Sequence, residues 1–406
     1  MAPVAVSERE FRRYAVAQQV SVIGLWIHST ALPWLVLDLT RSAAWMGVVV
    51  AVQFAPMLLA GLYGGLIVDR YDRRLLLAGT QILPMALSAV LGVFLLLGRP
   101  GPADLLVVVL VALGFGVTNV VDDPARSALL LDLAGREGVR TKVVVTPLIN
   151  DIARAVGPLI AGVLIQLGGM SACFLINAAT YVPVLAVLAG LRVARGVRRA
   201  SGGGQIRDGL RYAASDARLR APLVMITIVG TLTFEFVVTF PILVRETLRG
   251  GPLLVSGLFL MFSIGSVLAA LTRRRWTGGP PRRLAAAALA FGAAVMLFAL
   301  SWAPGAALVL VVGVGATSVV FLTLGIAHVQ QQAAPAYIGR VMALWGIGFN
   351  GTTALGSPVV GWVGEHHGGR WPLLVGAAAA GLAGLYGWIR LAAPAPAARV
   401  RMDGLG

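Results

Sequence analysis

The sequence predicts an all-α membrane protein in which twelve transmembrane helices form two pseudo-symmetric halves of six. Three observations lead there. Of 406 residues, 58% are hydrophobic and only 12% are charged, about half the charged share of a soluble domain, so polar surface could not cover such a core in water. Apolar runs of roughly the 20 residues that one crossing needs recur twelve times. Basic residues cluster between those runs, dense on alternate loops and sparse on the others.

In order, the runs cover residues 14–37, 44–68, 75–97, 103–121, 143–167, 171–191, 222–244, 252–271, 284–302, 305–329, 339–363 and 371–391. They are continuous, and about twice the length of a barrel strand, whose residues would alternate. Glycine and proline recur inside them, as membrane helices tolerate. The first run follows 1-MAPVAVSEREFRR-13 without an obvious small-residue cleavage site and is read as a retained span. With the N-terminus inside, 27 of the 33 basic residues fall on the inner side and five on the outer, with Arg154 inside a span. This asymmetry predicts a multi-pass protein of the inner (plasma) membrane with both termini cytoplasmic. The net charge of +16 is then a topology signal, and no nucleic-acid partner is expected, because the arginines are not gathered in one patch.

The longest polar stretch, 192-RVARGVRRASGGGQIRDGLRYAASDARLR-220, separates a first half (1–191) from a second (221–406). Its basic, glycine-rich start reads as a cytoplasmic linker on an anionic leaflet, and residues 206–219 as an amphipathic surface helix. An internal repeat supports the division. Span five reads 154-RAVGPLIAGVLIQLGGMSA-172 and span eleven 354-ALGSPVVGWVGEHHGGRWP-372: each has a glycine, a proline one or two residues on, a second glycine at helical spacing and a Gly-Gly turn. Internal repeats of this size mark secondary transporters. Enzyme signatures are missing. No G-x-x-x-x-G-K-[ST] loop occurs and Lys142 is the single lysine. Cys173, the one cysteine, excludes an intrachain disulfide or a cysteine metal site. No cofactor or metal is expected, the adjacent loop histidines His366 and His367 included.

The stretch 65-GLIVDRYDRR-74 resembles the loop between helices two and three of the major facilitator superfamily, G-x-L-a-D-r-x-G-r-r. Gly65, Asp69, Arg70, Arg73 and Arg74 stand at the motif's positions, and Asp72 stands where the family usually has glycine. The stretch 157-GPLIAG-162 resembles the helix-five antiporter motif G-P-x-x-G-G through Gly157, Pro158 and Gly162, with Ala161 for one glycine. The runs 330-QQQAAPAYIGRVMALW-345 and 29-STALPWLVLDLTRSAAWMG-47 are similar to the bacterial branch containing enterobactin exporters and macrolide-efflux-type permeases. The resemblance covers nearly the whole chain. It implies two halves rocking about a central site, with helices 1, 4, 7 and 10 lining the cavity and helices 2, 5, 8 and 11 between the halves. It favours export and names no substrate. Where related exporters often carry an aspartate in span one, this chain has Leu25.

Polar groups deep in a span are costly unless paired or wetted, so each raises a functional question. Glu235 is foremost: in 222–244 it lies about 20 Å from one end and about 14 Å from the other, with no basic residue within a turn. A lone buried carboxylate suits a proton carrier; the competing reading is a neutral link to a neighbouring helix. Asp151 and Arg154, three residues apart on span five, can neutralise each other as an interface pair, or share in proton or substrate binding. Gly157 and Gly162 allow close helix approach and Pro158 a kink, sealing the contact between the halves. Asp122 and Asp123 end span four, as partners for the arginines of the 2–3 loop, a proton-release step or a solvated helix end. His28 and His328 fall on helices expected to line the cavity, as do Asn119, Thr231 and Phe234.

The expectation is a monomeric secondary active transporter that exports small amphipathic molecules, such as a drug, siderophore or metabolite. It would do so by alternating access and proton antiport through Glu235, with Asp151. An uptake symporter of the same fold is the alternative, and a non-transporting receptor or scaffold the third. Asp69 would latch onto the N-terminus of span eleven and Arg340 when the cytoplasmic side is closed, with Arg73 tying the loop to Asp122, Asp123 or Asp132. Asp69→Asn should then shift the population inward-open, read as greater cytoplasmic cysteine accessibility; equal accessibility in mutant and parent defeats the latch.

Overall fold

In hydrocarbon no water satisfies an exposed backbone amide, so a spanning segment must bond to itself. In a computed structural model of the chain, the elements are accordingly α1 (Glu8–Thr40), α2 (Ala43–Arg70), α3 (Arg73–Leu97), α4 (Leu105–Gly190), α5 (Gln205–Ser215), α6 (Ala217–Leu232), α7 (Phe236–Ile242), α8 (Pro252–Leu271), α9 (Arg273–Trp276), α10 (Arg282–Ala299), α11 (Pro304–Gln332), α12 (Ile338–Gly346), α13 (Thr353–His367) and α14 (Trp371–Arg390). The structure describes residues 8–98, 101–191, 205–276, 279–335 and 337–391; the side chains of 8, 69, 102, 131–151, 205–207, 274 and 275 lie outside what it describes. No strand occurs among the described residues.

The long helix α4 holds three crossings. As one straight rod its 86 residues would measure about 130 Å, more than four times a ~30 Å hydrocarbon core. The chain doubles back at Gly169, whose φ of +74° lies in the left-handed region that glycine enters without steric cost. Beyond it, the Cys173 thiol donates to the Ala161 carbonyl at 3.7 Å, so span six returns along span five. Ten helical stretches among the described residues are long and apolar enough to cross a membrane. One of them, Ile152–Gly190, carries two crossings in 39 residues. Span eleven is a further crossing in two shorter pieces, so the expected twelve are present.

Two spans differ from the unbroken runs that the sequence predicts. Span seven is interrupted between α6 and α7 and ends in a π-helical turn, Leu243–Thr247. Span eleven has a π-helical turn, Ile347–Gly351, between α12 and α13. The surface helix also ends early. Asp216 caps α6 by accepting from the Arg218 amide at 2.8 Å, so Leu219 belongs to α6 and is fully buried there. Asp72, the departure from the 2–3 loop motif, caps α3: its carboxylate accepts from the amides of Arg74 (2.9 Å) and Leu75 (3.3 Å), the ordinary work of an N-cap aspartate.

Each half has its own apolar interior. In the second, Phe236, Phe240, Phe291, Phe298 and Phe321 form the centre of a cluster that runs from Leu219 to Leu391 and takes in Trp34 of the first half. In the first, Ile27, Met46, Phe115 and Phe174 do so. Helices approach until backbone meets backbone: a Cβ on Gly315 would lie 1.9 Å from the Phe262 carbonyl, and one on Gly265 would lie 1.9 Å from that of Val312. No side chain fits there.

The two halves meet along the end opposite the arginine clusters. Glu365 of α13 accepts from the Ser42 hydroxyl (2.5 Å) and the Ala44 amide (2.8 Å) at the N-terminus of α2. Arg245 pairs with Asp38 at 2.9 Å, and the Ser256 hydroxyl donates to the Pro158 carbonyl at 2.5 Å. The contact between α2 and span eleven continues inward to Leu58, which lies 3.2 Å from a Cβ built on Gly351, and to Gly61 beside Ile347. It then stops, for Cβ atoms built on Gly65 and Gly339 meet nothing within 4 Å. Among the described residues, the halves are joined at this end, and α2 and span eleven part towards the arginine-rich end.

Gly315→Ala should therefore cost about 1–3 kcal/mol through overpacking, seen as a lower melting temperature in detergent. Gly381→Ala, where a Cβ has open space, should be neutral or slightly stabilising. Glu365→Gln should loosen the sealed end, raising thiol labelling of a cysteine placed at buried Ala43; labelling no faster than in the parent counts against the clasp.

Candidate transport site

The site forms where span seven breaks. The amides of Thr233 (2.8 Å) and Phe234 (3.1 Å) both reach back to the Val229 carbonyl, which ends α6. At Glu235 the backbone leaves the helix (φ −77°, ψ 35°). Its carbonyl then accepts from the amides of Val238 (3.0 Å) and Thr239 (2.8 Å) to start α7. The Glu235 side chain is only 2% exposed. One carboxyl oxygen accepts from the Ser357 hydroxyl of α13 at 2.5 Å, and the other has no partner among the described residues. Thr353, one turn earlier on α13, approaches the carboxyl without completing a hydrogen bond to that oxygen. Gly356 makes the approach possible, since a Cβ there would sit 1.5 Å from the Thr231 carbonyl and 3.2 Å from the unpartnered oxygen. Among the described residues, Glu235 is thus joined to α13 by the Ser357 hydroxyl, with no cation beside it.

Around the break stand aromatic rings. Phe234 packs edge-on against Phe349 (5.0 Å between centroids) and tilted against Phe291 (5.0 Å). The Thr231 hydroxyl is spent on its own helix, donating to the Thr227 carbonyl at 2.6 Å. Across the cleft, the Arg154 guanidinium of span five lies over the Phe262 ring of α8, 5.1 Å from its centroid, a cation–π contact between the halves. The Asp151 side chain, expected to join Arg154, lies outside the described residues.

A second polar cluster lies inside the first half. Asp122 is buried and pairs with Arg126 one turn on. It also accepts from the Thr80 hydroxyl (2.7 Å) and the Gln81 amide (2.8 Å) of α3, while Ser21 of α1 donates to Gln81 at 3.1 Å. With its amide oriented to satisfy both neighbours, Gln18 accepts from Arg126 and donates to the Tyr14 hydroxyl, each at 3.3 Å. A cavity of about 20 Å³ among Ser21, Gln81, Asn119 and Asp122 is sized for one water. Asp122 is therefore neither a solvated helix end nor a partner of the 2–3 loop, because Arg126, Thr80 and Gln81 occupy its oxygens. Removing one member of such a buried pair typically costs about 3–5 kcal/mol. Asp123 differs: its side chain is exposed at the surface of the bundle. The part played by Arg126 was missed in the sequence, although its i,i+4 spacing from Asp122 was a signal.

Other expected residues fall elsewhere. His28, expected on the cavity wall, is fully buried inside the first half. It stacks on Phe115 at 4.0 Å and meets Phe174 edge-on at 5.3 Å, because spans four and six close over it. His328 sits by Arg218 and Asp216 at the start of α6 rather than at mid-depth. Gly157 packs against Trp26 and Ile23 of α1, within the first half, whereas Gly162 meets Ser256 and Leu253 of the second; only Pro158 and Gly162 of that motif join the halves. In the 2–3 loop, Arg74 donates to the Ala189 carbonyl at 2.6 Å, at the C-terminus of α4 where a cation is favoured. Arg70 is exposed, Arg73 opens α3 half-buried, and the Asp69 side chain lies outside the described residues. Arg340 lies over Tyr337 (5.0 Å) with its stem on Gly209 of α5. Tyr212 of the same surface helix stacks on Tyr337 at 4.2 Å and accepts from the Ala334 amide at 2.9 Å.

Residues 1–400 match the family described as transmembrane secretion effector. Over 253 residues the chain is 26% identical to the staphyloferrin A transporter of Staphylococcus aureus, which covers 61% of this chain and 63% of that protein. Over 185 residues it is 28% identical to the enterobactin exporter of Citrobacter koseri, covering 44% of this chain and 42% of that one. The chain thus spans less than two thirds of the length of these curated relatives. In shape it is similar to a bacterial homologue of the human lysosomal transporter Spinster, solved inward-facing and unoccupied. The TM-score is 0.75 at 12% identity, over 94% of this chain and 96% of that one, a likeness of fold alone. With twelve crossings in two halves and a family match over almost its whole length, the chain is a multi-pass membrane protein that belongs to the transmembrane secretion effector family of the major facilitator superfamily.

Proposed function

We propose that the protein exports small amphipathic molecules, foremost of the siderophore class, by alternating access coupled to proton antiport. The observation that carries the coupling is the Glu235 carboxyl, buried at a helix break with one oxygen bonded to Ser357 and the other unpartnered. A carboxyl in that setting can keep its bond to Ser357 in either state, donating to the hydroxyl oxygen when neutral and accepting from it when charged. Proton exchange therefore need not dismantle the packing. Asp151 remains part of this reading as a second proton-binding group beside Arg154.

The substrate class rests on the relatives that handle staphyloferrin A and enterobactin, and export rests on the latter. The aromatic rings of Phe234 and Phe349 and the Arg154 guanidinium suit an amphipathic ligand that carries negative charge. With the arginine-rich end in the cytoplasm, as its charge bias favours, the described conformation is inward-open and loads from the cytoplasm. Closure there and release of the Glu365 clasp opposite would present substrate outside. A proton would then enter from outside to Glu235 and leave inward on the return.

Proteoliposomes with an imposed pH gradient and a catecholate siderophore as probe test this. Glu235→Gln keeps an acceptor for Ser357, so folding and substrate exchange without a gradient should persist while gradient-driven transport falls to background. Undiminished gradient-driven transport by the variant sinks the assignment of Glu235.

A further inference from the structure

Outside the cleft, on the flank of the first half, α1 and the last turns of α4 enclose a groove of about 770 Å³. This lies within the 300–1,000 Å³ range of sites that hold small organic ligands. Its two ends differ in chemistry. Arg9, Glu10, Arg12 and Arg13 border one end, and Val20, Pro183 and Val187 line the other. Arg12, Arg13 and Val16 are exposed.

The length of α1 places these ends in the bilayer. At 33 residues it is about 50 Å long, some 20 Å more than the hydrocarbon core. Its far end is marked by Asp38, half-exposed and paired with Arg245, so the excess falls at the arginine end. Arg9, Arg12 and Arg13 thus stand at headgroup level with the apolar part of the groove below them in the acyl region. Three guanidiniums against one carboxylate leave the headgroup end basic. Long basic side chains at that depth attract anionic lipid, and guanidinium binds phosphate oxygens in bidentate fashion.

We infer that this groove is a binding site for one anionic phospholipid, its phosphate held by Arg9, Arg12 and Arg13 and an acyl chain lying on Val20, Pro183 and Val187. Two segments of the chain outside the description could reach the same place. Residues 192–204 carry four arginines, a charge that does not complement a basic groove. Residues 1–7 carry no basic side chain and are the real competitor. Both walls of the groove belong to the first half, so the site persists whichever end of the transporter is open.

Native mass spectrometry of the full-length protein, exchanged into phosphatidylglycerol or phosphatidylcholine, provides the test. The parent should retain one phosphatidylglycerol in preference to phosphatidylcholine. Arg9→Gln/Arg12→Gln/Arg13→Gln should weaken that binding roughly a hundredfold, at about fivefold for each arginine. Arg282→Gln/Arg390→Gln, at the same membrane depth in the other half, should not. Ala186→Trp, which fills the groove and keeps every arginine, should also lose the lipid, and Glu365→Gln should retain it. Equal retention of the two lipids, unchanged retention by the triple variant, or retention only after residues 2–7 are deleted would each overturn the assignment.

Discussion

Inside a bilayer an aliphatic side chain gains little by leaving lipid for another helix, because both surroundings are equally apolar. Helices must instead be held by close contact and hydrogen bonds. This constraint governs the bundle. Its tightest contacts are backbone on backbone, Gly315 on the Phe262 carbonyl and Gly356 on the Thr231 carbonyl. The same glycine contacts also decide what can move. Within a half they interlock over the length of a helix. Between α2 and span eleven they run from the sealed end only as far as Gly61, so the halves part beyond that point without unpacking either interior.

The constraint also sorts the buried charges. Asp122 is neutralised in place by Arg126 and by two donors from α3, so its charge is paid for locally and has no reason to change during a cycle. Among the described residues, Glu235 has the Ser357 hydroxyl and no cation. The break in span seven brings it to α13, and that approach depends on a glycine. One carboxyl is therefore held as structure and the other is the one proposed to exchange a proton, and the difference lies in the neighbours each helix supplies.

Spans two and eleven run in opposite directions side by side, so the C-terminal end of each lies near the N-terminal end of the other. At the sealed end this places Glu365 on the first amides of α2, where the helix dipole favours an anion. At the parted end the first turn of α12 is occupied from another direction, by Tyr212 and Gly209 of the surface helix α5. The stretch between the halves is thus a packed element rather than only a tether, and it touches the helix whose position distinguishes an open from a closed inner end.

The sequence by itself determined the number of crossings, their relative directions and the glycine-proline grammar of spans five and eleven. These depend on which solvent each residue meets, and a linear pattern of apolar runs and arginines records that directly. The i,i+4 spacing of Asp122 and Arg126 was equally visible, but their burial was not, because Thr80, Gln81 and Ser21 come from helices 40 to 100 residues away in the chain. Nothing local in Thr233-Phe234-Glu235 announces a helix break, for neither proline nor glycine stands there. At the break, Glu235 is met by Ser357 and Gly356, more than a hundred residues on. His28 looked like a cavity residue for the same reason: its helix was legible, but which side of that helix Phe115 and Phe174 would cover was not. Only the tertiary structure decided these points, because each depends on distances between segments that the order of residues along the chain does not contain.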